Sequence, residues 1–156
     1  MSIQNVVLIG GGVLGSQIAY QTAYKGFHVT IWLRSDASIG RAQPKLQRLH
    51  DIYVAELTAA KSSPGPYSPG LLDNGRTYTP EEIDGRIAQS DAALAGLTLT
   101  TDLAEAVKDA DLVIEALAEV PQEKIEFYQK LAPLLPEKTI LATNTSTLLP
   151  SSLAQY

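Results

Sequence analysis

Cysteine is absent from the 156 residues, so neither a disulfide framework nor a thiolate metal site is possible, and a reducing compartment fits. Long apolar runs are missing too. The first such run, residues 6–9, ends at glycine and follows no basic segment, which argues against a signal peptide or a membrane span there. The net charge of −5 argues against a nucleic-acid partner. We therefore expect a cytoplasmic domain without a metal site.

Glycine is concentrated near the start of the chain, in the stretch VLIGGGVLGSQIAY. Gly10, Gly12 and Gly15 fit the GxGxxG pattern, between an apolar run typical of a buried strand and a segment typical of a helix. In dinucleotide sites the first glycine allows a tight turn, the second leaves room for the pyrophosphate, and the third lets helix and strand pack closely. The predicted contacts are these glycines with Val13 and Leu14. A purely structural turn is the alternative.

The remaining sequence alternates short strands with helices, which predicts an α/β fold of Rossmann type with a doubly wound, mainly parallel sheet. Pro44 is expected to open a helix and Thr79 to cap a second one, so a helical hairpin of about residues 41–95 follows the second strand. Residues 62–78 between them hold three prolines and three glycines. We expect this segment to be poorly ordered without substrate; a compact loop held by its own apolar side chains is the alternative. Strands are predicted at 6–9, 29–33, 97–99, 112–116 and 139–143.

The second strand does not end on the acidic residue that usually holds the ribose of NAD. Leu33 lies at the strand end, Arg34 follows, and Asp36 comes later as a weaker ribose candidate. Because an arginine at this place pairs well with a 2′-phosphate, NADP binding is one interpretation. A solvated surface arginine is the other.

Two later stretches, DADLVIEALAEVPQEKIEFYQKL and TILATNTSTL, together with the glycine motif and the hairpin, resemble the NAD-binding domain of the L-3-hydroxyacyl-CoA dehydrogenases. The resemblance covers most of the chain. It implies NAD as cofactor, an acyl-CoA thioester as substrate, oxidation of the 3-hydroxyl group, and hydride transfer to nicotinamide. In this family the helical hairpin helps to hold the CoA; here its loop is longer and richer in proline.

Matching the motifs residue by residue places the family's cofactor-contacting glutamate and lysine on Glu119 and Lys124. The polar contact between nicotinamide and substrate oxygen falls on Ser146, preceded by Asn144, and these two are the implied catalytic residues. A hydroxyl at a strand end is suited to orient the reacting oxygen for hydride transfer. A surface Glu–Lys pair and a helix cap are the plainer interpretations. Glu115 points either into the site or to the sheet edge, and the sequence leaves this open.

The resemblance also implies parts that lie outside these residues. The family's general-base histidine, its orienting glutamate and a C-terminal helical domain that forms the homodimer follow a segment of this kind. We therefore expect residues 1–156 to form the dinucleotide-binding domain, to lack that helical domain, and to be inactive alone. His28 and His50 do not match the motif and are expected to be structural or exposed. A stand-alone, non-enzymatic NAD(P)-binding module and a different hydroxy-acid or keto-acid reductase remain alternatives.

Overall fold

A computed structural model describes residues 2–63, 65–146, 148–153 and 155. All five strands are parallel, in the order β3-β2-β1-β4-β5, and the predicted Rossmann-type architecture is confirmed. No helix in the described ranges is long and apolar enough to cross a membrane. The elements are β1 (Asn5–Ile9), α1 (Val13–Tyr24), β2 (His28–Trp32), α2 (Asp36–Ala60), α3 (Pro80–Gly96), β3 (Thr98–Thr100), α4 (Leu103–Val107), β4 (Leu112–Glu115), α5 (Pro121–Leu131), a 3-10 turn (Ala132–Leu134), β5 (Ile140–Thr143) and α6 (Pro150–Leu153).

Strand β1 lies at the centre of the sheet and is covered on both faces. Val6 and Leu8 pack with α1 and α2, whereas Val7 and Ile9 pack with α4 and α5. Two-sided burial explains why this strand is continuously apolar rather than alternating. The chain leaves β1 toward β2 and β3, then returns to place β4 on its other side. Such a reversal of strand order opens a crevice at the carboxyl ends of β1 and β4, where ligands of this fold bind.

Helix α2 begins earlier than the sequence predicts. It starts at Asp36, where the Ser35 side chain caps it by accepting a hydrogen bond from the Ser38 amide at 3.3 Å. The helix continues through Pro44. The missing proline N–H deprives only the Gly40 carbonyl of its helical partner, and Gly40 is exposed to water. The prediction that the helix opens at Pro44 was therefore wrong, and the hairpin begins before residue 41.

The segment 62–78 adopts the alternative arrangement, a compact loop. Its large apolar side chains are buried in a cluster with α2 and α3, and Tyr24 donates to the Leu71 carbonyl at 3.0 Å. The Asn74 side chain accepts from the Tyr67 amide at 2.9 Å. The expectation of poor order assumed too little apolar surface, and that premise was wrong; Pro64 lies outside the described residues. The buried loop side chains are Tyr67, Leu71, Leu72 and Tyr78.

Asp111 ties three strands together at the amino-terminal edge of the sheet. One carboxylate oxygen accepts the backbone N–H groups of Gln4 and Asn5 at 3.0 and 2.9 Å, and the other accepts Lys138 at 2.6 Å. The lysine, followed by the two amides, holds the pKa of Asp111 well below its usual value. The folded protein therefore favours the ionised carboxylate.

We expect this depressed pKa to make folding acid-sensitive. The stabilisation that ionised Asp111 gives the folded protein is present above about pH 3.9, the pKa of an aspartate in the unfolded chain. It is lost as the pH falls toward the lower pKa of Asp111 in the folded protein. In Asp111→Asn, the melting temperature should drop near neutral pH and vary less than that of the unaltered chain between about pH 5 and pH 2. Thermal unfolding at a series of pH values measures this. The exposed neighbour provides the control, Asp109→Asn, and an equal effect there would contradict the assignment.

Candidate functional site

The turn between β1 and α1 is built from close backbone approaches. Gly10 has a φ of +104°, and a Cβ there would lie 3.0 Å from the Ala116 carbonyl oxygen. A Cβ at Gly15 would lie 2.2 Å from the Gly10 carbonyl oxygen, and one at Gly11 would lie 2.7 Å from a Leu33 methyl carbon. Gly10 and Gly15 exclude side chains for reasons internal to the fold, whereas at Gly11 the Leu33 side chain would have to shift. They bring the start of α1 directly over the crevice.

Gly12 is different, because nothing in the protein requires it to lack a side chain. A Cβ at Gly12 would meet no atom within 4 Å, and its φ of −64° suits any residue. It caps α1 without a side-chain hydrogen bond, and the first turn carries no acidic residue. Val13 and Leu14 on this turn are exposed. The first-turn N–H groups and the helix dipole therefore suit an anion, and the open space in front of Gly12 suits a pyrophosphate.

Beside the glycine turn lies a cleft of about 270 Å³ with a positive lining. Lys45 reaches in from α2 and donates to the Gly11 carbonyl at 3.3 Å, and Arg41 donates to the Ser38 hydroxyl at 2.8 Å. Among the described residues that line it there is no carboxylate. Its lining comprises Gly10, Gly11, Gly12, Trp32, Leu33, Arg34, Ser38, Arg41, Lys45, Ala116, Leu117 and Ala118.

The end of β2 shows how the missing acidic residue is replaced. Leu33 is buried against Gly11, so its side chain forms part of the cleft wall rather than a polar ribose contact. Arg34 is exposed and forms an ion pair of 3.3 Å with Glu123 of α5. An exposed pair of this kind contributes little to stability and can exchange partners readily. Asp36, the weaker ribose candidate, is exposed in the first turn of α2.

At the other end of the crevice a carboxylate is completely buried. Glu115, the last residue of β4, has 0% exposure, and one of its oxygens accepts three hydrogen bonds. The other oxygen accepts the Leu117 amide at 2.6 Å. Glu115 therefore points inward to a polar cluster, which answers the question that the sequence left open. The three donors to the first oxygen are Lys124 at 3.1 Å, Tyr128 at 3.0 Å and Thr143 at 2.7 Å.

The predicted pair Glu119 and Lys124 belongs to the same cluster. The Lys124 ammonium is 1% exposed and bridges Glu115 to Glu119, with 3.1 Å to each carboxylate. Glu119 also accepts the Thr145 hydroxyl at 2.6 Å. The pair is therefore not a solvated surface pair: its lysine is enclosed and its glutamate, with 38% of its side chain exposed, forms the outer part of the cluster.

Asn144 and Ser146 follow β5 beside this cluster. The backbone N–H of Asn144 donates to the backbone carbonyl of Glu115 at 2.8 Å, which fixes the backbone of the turn. The side chains of Asn144 and Ser146 are exposed. Thr147 lies outside the described residues. The structure thus gathers Glu119, Lys124 and the turn after β5 on one side of the crevice. The glycine turn with Leu33 and Arg34 lies on the other side.

Sequence reasoning missed the cations of α2. Arg41, Lys45 and Arg48 recur at a spacing of four and three residues, which places them on one helix face. That signal is visible only when the helix is known to begin before Pro44. It also missed Tyr128 and Thr143 as partners of Glu115, because they lie 13 and 28 residues further along the chain.

Comparisons with known proteins agree with this geometry. A family model described as "3-hydroxyacyl-CoA dehydrogenase, NAD binding domain" matches residues 5–67 and 73–156. The mitochondrial hydroxyacyl-coenzyme A dehydrogenase of Rattus norvegicus is 29% identical over 152 residues, 97% of this chain and 42% of that protein. A probable 3-hydroxybutyryl-CoA dehydrogenase of Bacillus subtilis (strain 168) is 31% identical over 148 residues, 95% of this chain and 42% of that protein.

A solved diketoreductase, whose structure is described in terms of catalysis on dicarbonyl compounds, is 40% identical with a TM-score of 0.78. The match covers 100% of this chain and 46% of that one. Since the family model matches almost the whole sequence, the chain belongs to the 3-hydroxyacyl-CoA dehydrogenase family and corresponds to its NAD-binding domain. The resemblance is confirmed. The chain spans 42% of the length of the two curated relatives above.

We expect Gly15→Ala to destabilise the domain. A Cβ at this position would lie 2.2 Å from the Gly10 carbonyl oxygen, so the backbone would have to move. The free energy of unfolding should fall by about 3 kcal/mol, the upper range of overpacking. Urea denaturation measures it. The matched control is Gly85→Ala in exposed α3, where a Cβ meets no atom within 4 Å. There the gain should be about 0.5–1 kcal/mol, since alanine favours the helix. Similar losses at both positions would contradict the packing argument.

Proposed function

We propose that this chain is the dinucleotide-binding domain of an enzyme that interconverts 3-hydroxyacyl-CoA and 3-ketoacyl-CoA. The observation that carries the proposal is the start of α1, which is uncapped by any side chain and faces the open space at Gly12. A structural turn alone would need Gly10 and Gly15 but would not need Gly12. The acyl-CoA substrate and a homodimeric assembly are proposed for the whole protein.

In this proposal the two halves of the cofactor bind on opposite sides of the crevice. The first-turn amides of α1, with Val13 and Leu14 beside them, hold the pyrophosphate, and the cleft beside Arg34 takes the adenosine half. The nicotinamide, when bound, would supply the acceptor for the hydride that leaves C3 of the substrate. Glu119 and Ser146 bind on the nicotinamide side, where the Ser146 hydroxyl orients the substrate oxygen.

The general base that removes the hydroxyl proton comes, in this proposal, from outside residues 1–156. His28 is exposed at the amino-terminal end of β2, the edge of the sheet opposite the crevice. His50 is held in the hairpin by Asp91 at 2.7 Å and Asp51 at 3.1 Å. Neither imidazole is at the site, and a positioned base is worth roughly 10²–10⁴-fold in rate.

Gly12→Ala tests the proposal directly. We expect the melting temperature to fall by no more than the loss of a glycine cap accounts for, because the added methyl group meets no protein atom. NAD binding should weaken by about tenfold or more, because the pyrophosphate loses close contact with charge-assisted donors. Quenching of Trp32 measures binding, since it is the sole tryptophan and lines the cleft. Unchanged affinity in a folded variant would overturn the proposed pyrophosphate site.

We further propose that the domain accepts NADP. The usual ribose-binding carboxylate is replaced by buried Leu33, so nothing at that position repels a 2′-phosphate. Arg34, Arg41 and Lys45 line the same cleft, and Glu123 is the ion-pair partner of Arg34 among the described residues. A guanidinium can bind a phosphate through two parallel hydrogen bonds, which supports the proposal.

Arg34→Ala should weaken NADP binding by about tenfold and leave NAD binding nearly unchanged, because only NADP carries the 2′-phosphate. Glu123→Gln should act in the opposite direction, since it frees Arg34 from its carboxylate partner. Titration of both cofactors measures the two effects. Arg48→Ala is the control, an exposed arginine of α2 that does not line this cleft. An NADP affinity indifferent to Arg34 would make it a plain surface residue.

A second candidate is reduction of a dicarbonyl compound that carries no CoA. The solved diketoreductase is 40% identical over the whole chain, more than the 29–31% of the two CoA-ester dehydrogenases. The candidates are distinguished by the rate at which the natural protein oxidises the reduced nicotinamide cofactor. That rate is compared with acetoacetyl-CoA and with a CoA-free diketo ester as substrates.

A further inference from the structure

Glu115 is a buried charge for which neither the glycine motif nor the proposed contacts of Glu119 and Lys124 account. Four donors surround its two oxygens, and two of them, the Lys124 ammonium and the Leu117 amide, are unable to accept a hydrogen bond. Burial raises the pKa of Tyr128 to about 12, so that its hydroxyl stays protonated and donates. Glu115 therefore accepts hydrogen bonds from all four partners, and the Lys124 ammonium lies against it as the opposite charge.

Two chains of hydrogen bonds connect Glu115 to the open side of the crevice. Lys124 connects it to Glu119, which accepts the Thr145 hydroxyl. Thr143 connects it directly to the end of β5, and the Thr143 hydroxyl also accepts the Thr145 amide at 3.2 Å. Both routes end on residues adjoining Ser146.

Burial gives this arrangement its stiffness. Lys124 is 1% exposed, so its charge is compensated by protein carboxylates rather than water, and its position depends on where they lie. Removing the inner carboxylate would take from the ammonium its fully buried partner, so the Lys124–Glu119 contact would no longer be anchored inside the protein. The Glu119 carboxylate would keep its bond to Thr145, but the lysine that aligns it would be displaced.

We propose that Glu115 is a positioning residue for the nicotinamide half of the cofactor. It fixes Lys124 and Thr143, and through them the Glu119 carboxylate and the turn 143–146. The inference rests on the proposed function, in which Glu119 and Ser146 contact that half of the cofactor. Glu115 itself touches only protein atoms.

The test compares NAD with ADP-ribose, which has the same adenosine and pyrophosphate but no nicotinamide ring. In Glu115→Gln of the 156-residue chain, NAD affinity should fall by about tenfold, and ADP-ribose affinity should change less than about twofold. Trp32 quenching reports both ligands, because Trp32 lies on the adenosine side. A purely structural role would reduce the two affinities equally.

The matched control is Asp111→Asn, which removes a second buried carboxylate paired with a lysine, at the far edge of the sheet. It should lower the melting temperature without changing the ratio of the two affinities. Tyr128→Phe and Thr143→Val each remove one donor to Glu115 while leaving the Glu115–Lys124 pair. They should show the same selective loss, smaller in size, and they decide the matter if Glu115→Gln does not fold.

The outcomes distinguish the positioning role of Glu115 from the proposed function of the domain. If the unaltered chain binds neither ligand, the proposed function fails. If it binds both, and the variants weaken both equally or neither, the positioning role of Glu115 is overturned and the proposed function stands.

Discussion

The contact between α1 and β1 at Gly15 is the constraint on which the rest of the structure depends. Because a Cβ at Gly15 would lie 2.2 Å from the Gly10 carbonyl oxygen, the helix lies closer to the end of the strand than a residue with a side chain would permit. This closeness directs the amino terminus of α1 at the point where strand order reverses. The cleft on one side of that point and the buried cluster on the other are both placed by it.

Much of the fold could be predicted from local patterns. The apolar runs located the strands to within a residue or so, since strands buried on both faces are uniformly apolar. The start of α2 was missed because Pro44 has a strong preference for a first helical turn, whereas Ser35 is a weaker signal that depends on its hydrogen bond to Ser38. In the loop 62–78, the abundance of proline and glycine concealed a small apolar cluster that forms only when α2 and α3 are side by side.

For the candidate site, motifs identified the residues but not their surroundings. Glu119 and Lys124 were implied by the family resemblance, yet the burial of Lys124 depends on Glu115, whose partners Tyr128 and Thr143 are 13 and 28 residues away. The cations of α2 were hidden for a similar reason, since their common face follows from the phase of a helix whose start was misplaced. Long-range partners of a buried charge leave no periodic pattern in a sequence, so reasoning from local spacing has nothing to detect.

The loop at the tip of the hairpin carries a small apolar core of its own. The family match is interrupted at residues 68–72, and this stretch includes Leu71 and Leu72, two of the side chains that bury the loop. A segment outside the common family pattern thus carries its own hydrophobic anchors. These anchors pack with side chains of α1, α2 and α3 rather than with those of the strands. A change in the tip would therefore be felt first at the far end of α1, beside Tyr24, and not at the glycine turn where that helix begins.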